Sequence, residues 1–336
     1  MKILVTGGCG FIGTHACVEL INNGYQVVVI DNLSNSNEDA LKQVAEITEV
    51  EKIPFYQGDI RDNELLKKIF KIHKIGAVIH FAGLKAVGES IQKPIKYYNN
   101  NIIGTITLLE EMQHADVKTI IFSSSATVYG IPNSLPIKES HSTGEATNPY
   151  GKSKLIIEDV LKDLYKADSS WKIALLRYFN PVGAHSSGKI GENLNGIPSN
   201  LMPYISKVAA GKLEKVKIFG NDYPTPDGTG IRDYIHVVDL AKGHISALSF
   251  LQSNIQNSPL IINLGIGKGY SVLQILKAFE RASGKKIPYE IVARRNGDIA
   301  EYYASIDLAE KCLKWKAEKT LKQMCEDAWT YQKQND

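Results

Sequence analysis

Short runs of consecutive aliphatic and β-branched residues punctuate the first half of the chain. They fall at Ile3–Val5, Val27–Ile30, Ile53–Tyr56, Ala77–Phe81, Thr119–Ser123 and Ile173–Leu176. Nearly continuous apolar runs of this length mark parallel strands buried on both faces. Between them, apolar positions recur at helical spacing, as in Ile12–Ile21, Asn63–Ile72 and Pro94–Met112. The alternation predicts an α/β fold with a doubly wound parallel sheet.

The pattern changes near residue 180. Asn180–Asn200 is rich in Gly, Ser, Asn and Pro, and Asn221–Gly230 carries further Pro and Gly; both read as irregular loop. Strand and helix signals return at Tyr234–Leu251 and Leu260–Leu264. The expected division is a first domain over 1–180, rejoined by parts of 234–265. A smaller mixed α/β domain takes the rest of 181–336.

Composition narrows the classes. The chain has 336 residues, 43% hydrophobic and 22% charged, with a net charge of +3. That suits a core-forming globular protein and gives no basic footprint for nucleic acid. Lys67, Lys68, Lys71 and Lys74 alternate with Ile69, Phe70 and Ile72, the solvated side of an amphipathic helix. Cys9, Cys17, Cys312 and Cys325 form no metal-ligand spacing, so no metal is expected and the setting reads as reducing and cytosolic. The N-terminal apolar run is too short for a signal peptide, and no stretch approaches membrane-spanning length.

Chemistry enters at the first strand-to-helix turn. Gly7, Gly10 and Gly13 are spaced as in a dinucleotide-binding turn. Such glycines permit a tight turn, close approach of a pyrophosphate, and packing of helix on strand, with helix N–H groups facing the phosphates. Asp31 closes the second strand, where a carboxylate meets the adenosine ribose diol. No arginine follows it in Asn32–Ser36, so NAD is favoured over NADP. These residues make the first domain Rossmann-type. Asp59, after the third strand, reads by itself as a helix cap.

Tyr150 and Lys154 form a Tyr-x-x-x-Lys pair behind Pro149. Proline suits a first helical turn, so the two lie one turn apart on one face. A tyrosine base near neutrality needs its pKa lowered from about 10, and an ammonium beside it can do that. Ser125 follows the fifth strand, at the sheet edge where ligands bind. Its hydroxyl can hydrogen-bond the sugar oxygen and relay its proton to Tyr150.

Longer stretches carry a resemblance. They are Phe81–Ser90, Ser123–Gly130, Pro149–Lys154, Leu176–Pro181 and Gly228–His236. They resemble the extended short-chain dehydrogenase/reductase superfamily and, within it, the UDP-glucose 4-epimerase family, over Met1 to about Trp329. The resemblance implies NAD recycled within each turnover and UDP-glucose and UDP-galactose as substrates. It places NAD contacts on Phe11, Ile12, Asp31, Asn32, Ser36, Asp59, Ile60, Phe81, Ala82, Lys85, Asn100, Tyr150, Lys154 and Phe179. UDP-sugar contacts fall on Lys85, Ser123, Asn180, Asn200, Leu201, Phe219, Arg232, Tyr234, Arg295, Asp298 and Tyr302. Arg232 and Arg295 suit a diphosphate, and Asp298 suits a ribose hydroxyl. A bulky Tyr302 goes with exclusion of N-acetylated sugars. The resemblance also implies a homodimer packed through Pro94–Met112 and Pro149–Leu164.

The rivals are a sugar-nucleotide 4,6-dehydratase, a UDP-uronate or UDP-N-acetylhexosamine 4-epimerase, and a non-catalytic NAD sensor. Dehydratases of this type carry an Asp-Glu pair where this chain has Ala126-Thr127, which cannot eliminate water.

Overall fold

A computed structural model describes residues 1–144, 146–192, 198, 200–295 and 297–335. Part of the expected Asn180–Asn200 loop, residues 193–197 and 199, lies outside them.

Seven parallel strands form the main sheet. Six are β1 (Lys2–Thr6), β2 (Gln26–Asp31), β3 (Phe55–Gln57), β4 (Ile75–His80), β5 (Thr119–Ser123) and β6 (Lys172–Tyr178). Their order is β3-β2-β1-β4-β5-β6, and the Leu260–Leu264 strand adds beyond β6. The order reverses between β1 and β4, so a crevice opens outside the C-terminal strand ends.

Strand alternation explains the two-sided core. Ile3, Val5, Val27, Val29, Ala77 and Ile79 face helix Phe11–Asn22 and helix Val237–Ser253. Leu4, Val28, Ile30, Val78, Ile120 and Phe122 face helices Asn63–Ile72, Gly104–His114 and Pro149–Ala167. Both faces are buried, which is why these strands lack polar alternation. Ala309, Leu313 and Trp315 also pack on the first face, a return of the chain not expected from sequence.

A separate cluster joins Met202, Ile205, Ile218, Phe279 and Trp329 across helices Leu201–Ala209, Val272–Ser283 and Leu321–Gln334. Its strands have only two to four residues.

Three local expectations need correction. The third strand starts at Phe55, not Ile53, because Pro54 has no N–H and only its carbonyl meets Val29 (2.9 Å). Asp62, not Asp59, caps helix Asn63–Ile72 by accepting from the Leu65 N–H at 3.0 Å. The Pro94–Met112 helix contains a π-helical segment at Asn99–Ile103 between α-helical Pro94–Tyr98 and Gly104–His114. Among the described residues no helix is long and apolar enough to cross a membrane.

Candidate active site

The cleft at the sheet's C-terminal edge starts at the first βα turn. Gly7 has φ +70°, and a Cβ there would come within 2.7 Å of the Ala82 nitrogen. A Cβ on Gly13 would lie 2.2 Å from the Gly7 carbonyl oxygen. Gly7 therefore serves approach to the neighbouring strand's exit, and Gly13 packs helix on turn. Gly10 caps helix Phe11–Asn22 without a side-chain bond, leaving N–H groups for an anion.

Asp31 is buried at the end of β2. Its carboxylate accepts from the Cys9 N–H (3.0 Å), the Leu33 N–H (2.9 Å) and the Ser36 hydroxyl (2.8 Å). Asp59 is held by Arg61 at 2.8 and 2.7 Å and by the Asn32 amide at 3.0 Å. These bonds, Arg61 foremost, hold its pKa at about 2.

Gly7, Gly10, Phe11, Ile12, Gly13, Asp31, Asn32, Ile60, Phe81, Ala82, Lys85, Asn100, Tyr150 and Lys154 line one continuous cleft. Ser36 and Asp59 stand behind it, tied to Asp31 and Asn32. The cradle fits a dinucleotide: glycine-lined at the helix N-terminus, acidic where a ribose diol would lie, and, among the described residues, with no Lys or Arg paired to Asp31.

Tyr150 and Lys154 lie on the buried face of helix Pro149–Ala167, whose N-cap Asn148 accepts from the Gly151 N–H at 2.9 Å. Lys154 Nζ donates to the Ser123 carbonyl at 2.8 Å and sits 4.7 Å from the Phe122 ring centroid. Burial lowers its pKa to about 8, with Glu158 opposing. Burial and Tyr178 push the Tyr150 phenol up; a hydrogen bond with Ser125 and the charge of Lys85 pull it back. The help expected from the Lys154 ammonium together with a nicotinamide ring is not among the influences on the phenol in the ligand-free protein, where Ser125 and Lys85 pull it down. Burial thus disfavours charge on both groups while the cleft holds no ligand.

Ser123 differs from its expected sugar contact. It is 1% exposed. His244 Nδ1 lies 2.9 Å from the Leu240 carbonyl, so that nitrogen is the donor and Nε2 accepts from the Ser123 hydroxyl at 3.1 Å. Ser123 thus lies under the site, offering its carbonyl to Lys154.

A second cavity, adjoining through Tyr178, gathers Ser125, Thr127, Phe179, Asn180, Arg232, Asp298 and Tyr302. Phe179, expected at the cofactor, packs here against Tyr302 in a tilted contact with ring centroids 5.6 Å apart. The Tyr302 hydroxyl donates to the Ala126 carbonyl at 2.6 Å. A third cavity shares Asn180, Arg232 and Asp298 and adds Asn200, Leu201, Phe219, Tyr234 and Arg295. Arg295 stacks 3.9 Å from the Phe219 ring centroid, and Arg232 pairs with Asp298. Helix Leu201–Ala209 turns its N-terminus to this cavity.

Sequence reasoning missed several residues. Asn101 bonds Leu84 N–H and C=O (2.8 and 3.0 Å) and Ser153 (3.0 Å), tying the loop after β4 to the Tyr150 helix. Glu192 joins Lys85 (2.8 Å) to Asn200 (3.0 Å) between the cavities. Tyr178 bridges the first two cavities. Only Tyr178, at a strand end, carried a local signal.

Fold and site together define an extended short-chain dehydrogenase/reductase. A family model described as GDP-mannose 4,6 dehydratase matches residues 4–328. UDP-glucose 4-epimerase of Bacillus subtilis is 56% identical over 335 residues, covering 100% of this chain and 98% of that protein. The Homo sapiens UDP-glucose 4-epimerase is 57% identical over 340 residues, covering 99% and 97%. The crystal structure of Bifidobacterium longum UDP-glucose 4-epimerase with NAD+ and UDP superposes with a TM-score of 0.96 at 54% identity, covering 100% and 99%. The chain belongs to the UDP-glucose 4-epimerase family.

Proposed function

We propose that Tyr150, Ser125 and Lys154 carry the chemistry of this enzyme, which interconverts UDP-galactose and UDP-glucose by transient oxidation at sugar C4 with bound NAD. Bound NAD supplies a hydride acceptor for C4 that later returns the hydride to the opposite face. Gly10, the helix it caps and Asp31 hold that cofactor. Arg232, Arg295 and the N-terminus of helix Leu201–Ala209 hold the substrate diphosphate, and Phe219 supports Arg295. Nucleotide contacts fix the substrate while the 4-ketosugar rotates in the cavity walled by Tyr302 and Phe179.

Tyr150 takes the 4-hydroxyl proton as its phenolate and returns it after rotation. Ser125, just past the end of β5, pulls the phenol pKa down. Lys154, one turn away, keeps the phenolate favourable once that charge forms. The single observation carrying this reading is the buried Ser125–Tyr150 pair at the join of the cofactor cleft and the Tyr302 cavity. Tyr150→Phe should lower kcat by about a thousandfold or more with little change in KM; turnover near wild type removes Tyr150 as the base. The division near residue 181 into a cofactor half and a nucleotide half accompanies this reading.

The homodimer belongs to the same proposal. Ile91 and Ile95 are 62% and 82% exposed, and Ile103 and Ile156 are also exposed. They stand on the helical stretches 87–114 and 149–167, an apolar face that a second copy would cover. A reducing, cytosolic setting is proposed from four free cysteines, three of them buried.

A further inference from the structure

Thr127 adjoins Ser125, and its contacts deepen the reading of Tyr150 as base, on which the inference rests. Ser125 Oγ caps the short turn Ala126–Tyr129. The Thr127 N–H donates to it at 3.2 Å, and the Thr127 hydroxyl donates at 2.9 Å. A hydroxyl oxygen has two lone pairs and one proton. One residue therefore occupies both acceptor sites of Ser125, which leaves its proton for Tyr150, the phenol that Ser125 pulls down.

Thr127 is fixed in this role. Tyr302 donates to the Ala126 carbonyl at 2.6 Å, and the Val128 N–H donates to the Ser125 carbonyl at 3.2 Å. Against it stands Gly151, the residue after Tyr150, where even a Cβ would lie 3.3 Å from Thr127 Oγ1. Turn and catalytic helix thus meet at Thr127 with no side chain between them.

We propose that Thr127 is a positioning residue: it fills the acceptor capacity of Ser125 and makes that serine an obligate donor to Tyr150. The consequence concerns the proton's route. Ser125 cannot accept the sugar proton, so the O–H bond at C4 breaks directly to the Tyr150 oxygen, forming the phenol. Ser125 keeps its own proton throughout. The ionisable groups acting on Tyr150 are Tyr178 at the end of β6 and Lys85 after β4, with Tyr97 also coupled to it; Lys154 lies one turn away on its own helix. None is a hydrogen-bond partner of Thr127.

The test is the pH dependence of kcat for UDP-galactose in the holoenzyme. Thr127→Val keeps the N–H and removes the hydroxyl. The acid limb should move up by about one pH unit, lowering kcat about tenfold near neutrality, with activity recovering at higher pH and KM within about twofold. Thr127→Ser should restore both. Adding Thr127→Val to Ser125→Ala should cost almost nothing further. A loss equal at every pH, or additive with Ser125→Ala, overturns the proposal. If Thr127→Val fails to fold, Thr127→Ala carries the same measurement. An active Tyr150→Phe would sink the base assignment instead; an unchanged Thr127→Val beside an inactive Tyr150→Phe would sink only Thr127.

Discussion

Replacing Lys154 with methionine separates catalysis from folding. Methionine keeps most of the side-chain length and removes the ammonium. In the folded, ligand-free protein, burial lowers the Lys154 pKa from 10.5 to about 8, a penalty of roughly 3 kcal/mol at neutral pH. Because the folded value lies below the unfolded one, the penalty is fully present below about pH 8 and fades as pH rises toward 10.5. Removing the ammonium relieves it. Against that gain, the Ser123 carbonyl loses its 2.8 Å donor, worth about 1–3 kcal/mol. The contact with Phe122 is also lost, about 1 kcal/mol. The effects nearly cancel, so the melting temperature should stay within about 4 °C of wild type at pH 7.

Activity should not be spared. Two charges one helical turn apart, about 6 Å, at an effective dielectric of about 20, interact by roughly 3 kcal/mol. Losing that support for the Tyr150 phenolate should lower kcat about a hundredfold near pH 7 and move the acid limb upward by about two units. Steady-state epimerisation of UDP-galactose across pH 6–10 (about the accessible range), with thermal melts of the same preparations, reads both. A kcat within about fivefold of wild type, or a loss matched by a fall in melting temperature above about 10 °C, would refute the reasoning.

Three further outcomes follow from the site. Asp31→Asn should weaken NAD binding about tenfold or more and narrow the preference over NADP, since a carboxylate repels a 2′-phosphate; titration of apoprotein with both cofactors checks it, and an unchanged ratio counts against Asp31. Tyr302→Ser removes the ring against Phe179 and the bond to the Ala126 carbonyl, so turnover of UDP-N-acetylglucosamine should rise at least about tenfold while stability falls by about 2–4 kcal/mol; equal turnover by wild type would remove Tyr302 as the wall. Ile95→Glu with Ile103→Glu should convert a dimer to monomer in sedimentation, and a wild-type monomer at micromolar concentration would end the dimer proposal.

The sheet was legible because both its faces are buried, which left unbroken apolar runs at β1, β2, β4, β5 and β6. The Asn63–Ile72 helix was legible to the residue. The π-helical Asn99–Ile103 was not, because one widened turn shifts the apolar phase by a single residue, too little to stand out in so short a stretch. Tyr150, Lys154 and Ser125 announced themselves by spacing and strand-end position. Glu192 and Asn101 act through long-range bonds, to Lys85 across 107 residues and to Ser153 across 52, which no local pattern encodes. Ser123 and Ser125 sit two residues apart and look alike in sequence. Only the packing of His244 against one and Thr127 against the other tells the buried support from the reactive hydroxyl. The strands Ile231–Arg232 and Glu301–Tyr302 are too short to leave any period.

The most direct measurement follows purified protein with UDP-galactose, and no added cofactor, by proton NMR. The account predicts UDP-glucose appearing to equilibrium from NAD carried by the protein, or after NAD is restored. A 4-keto-6-deoxy product, or an unchanged spectrum with NAD present, would contradict it.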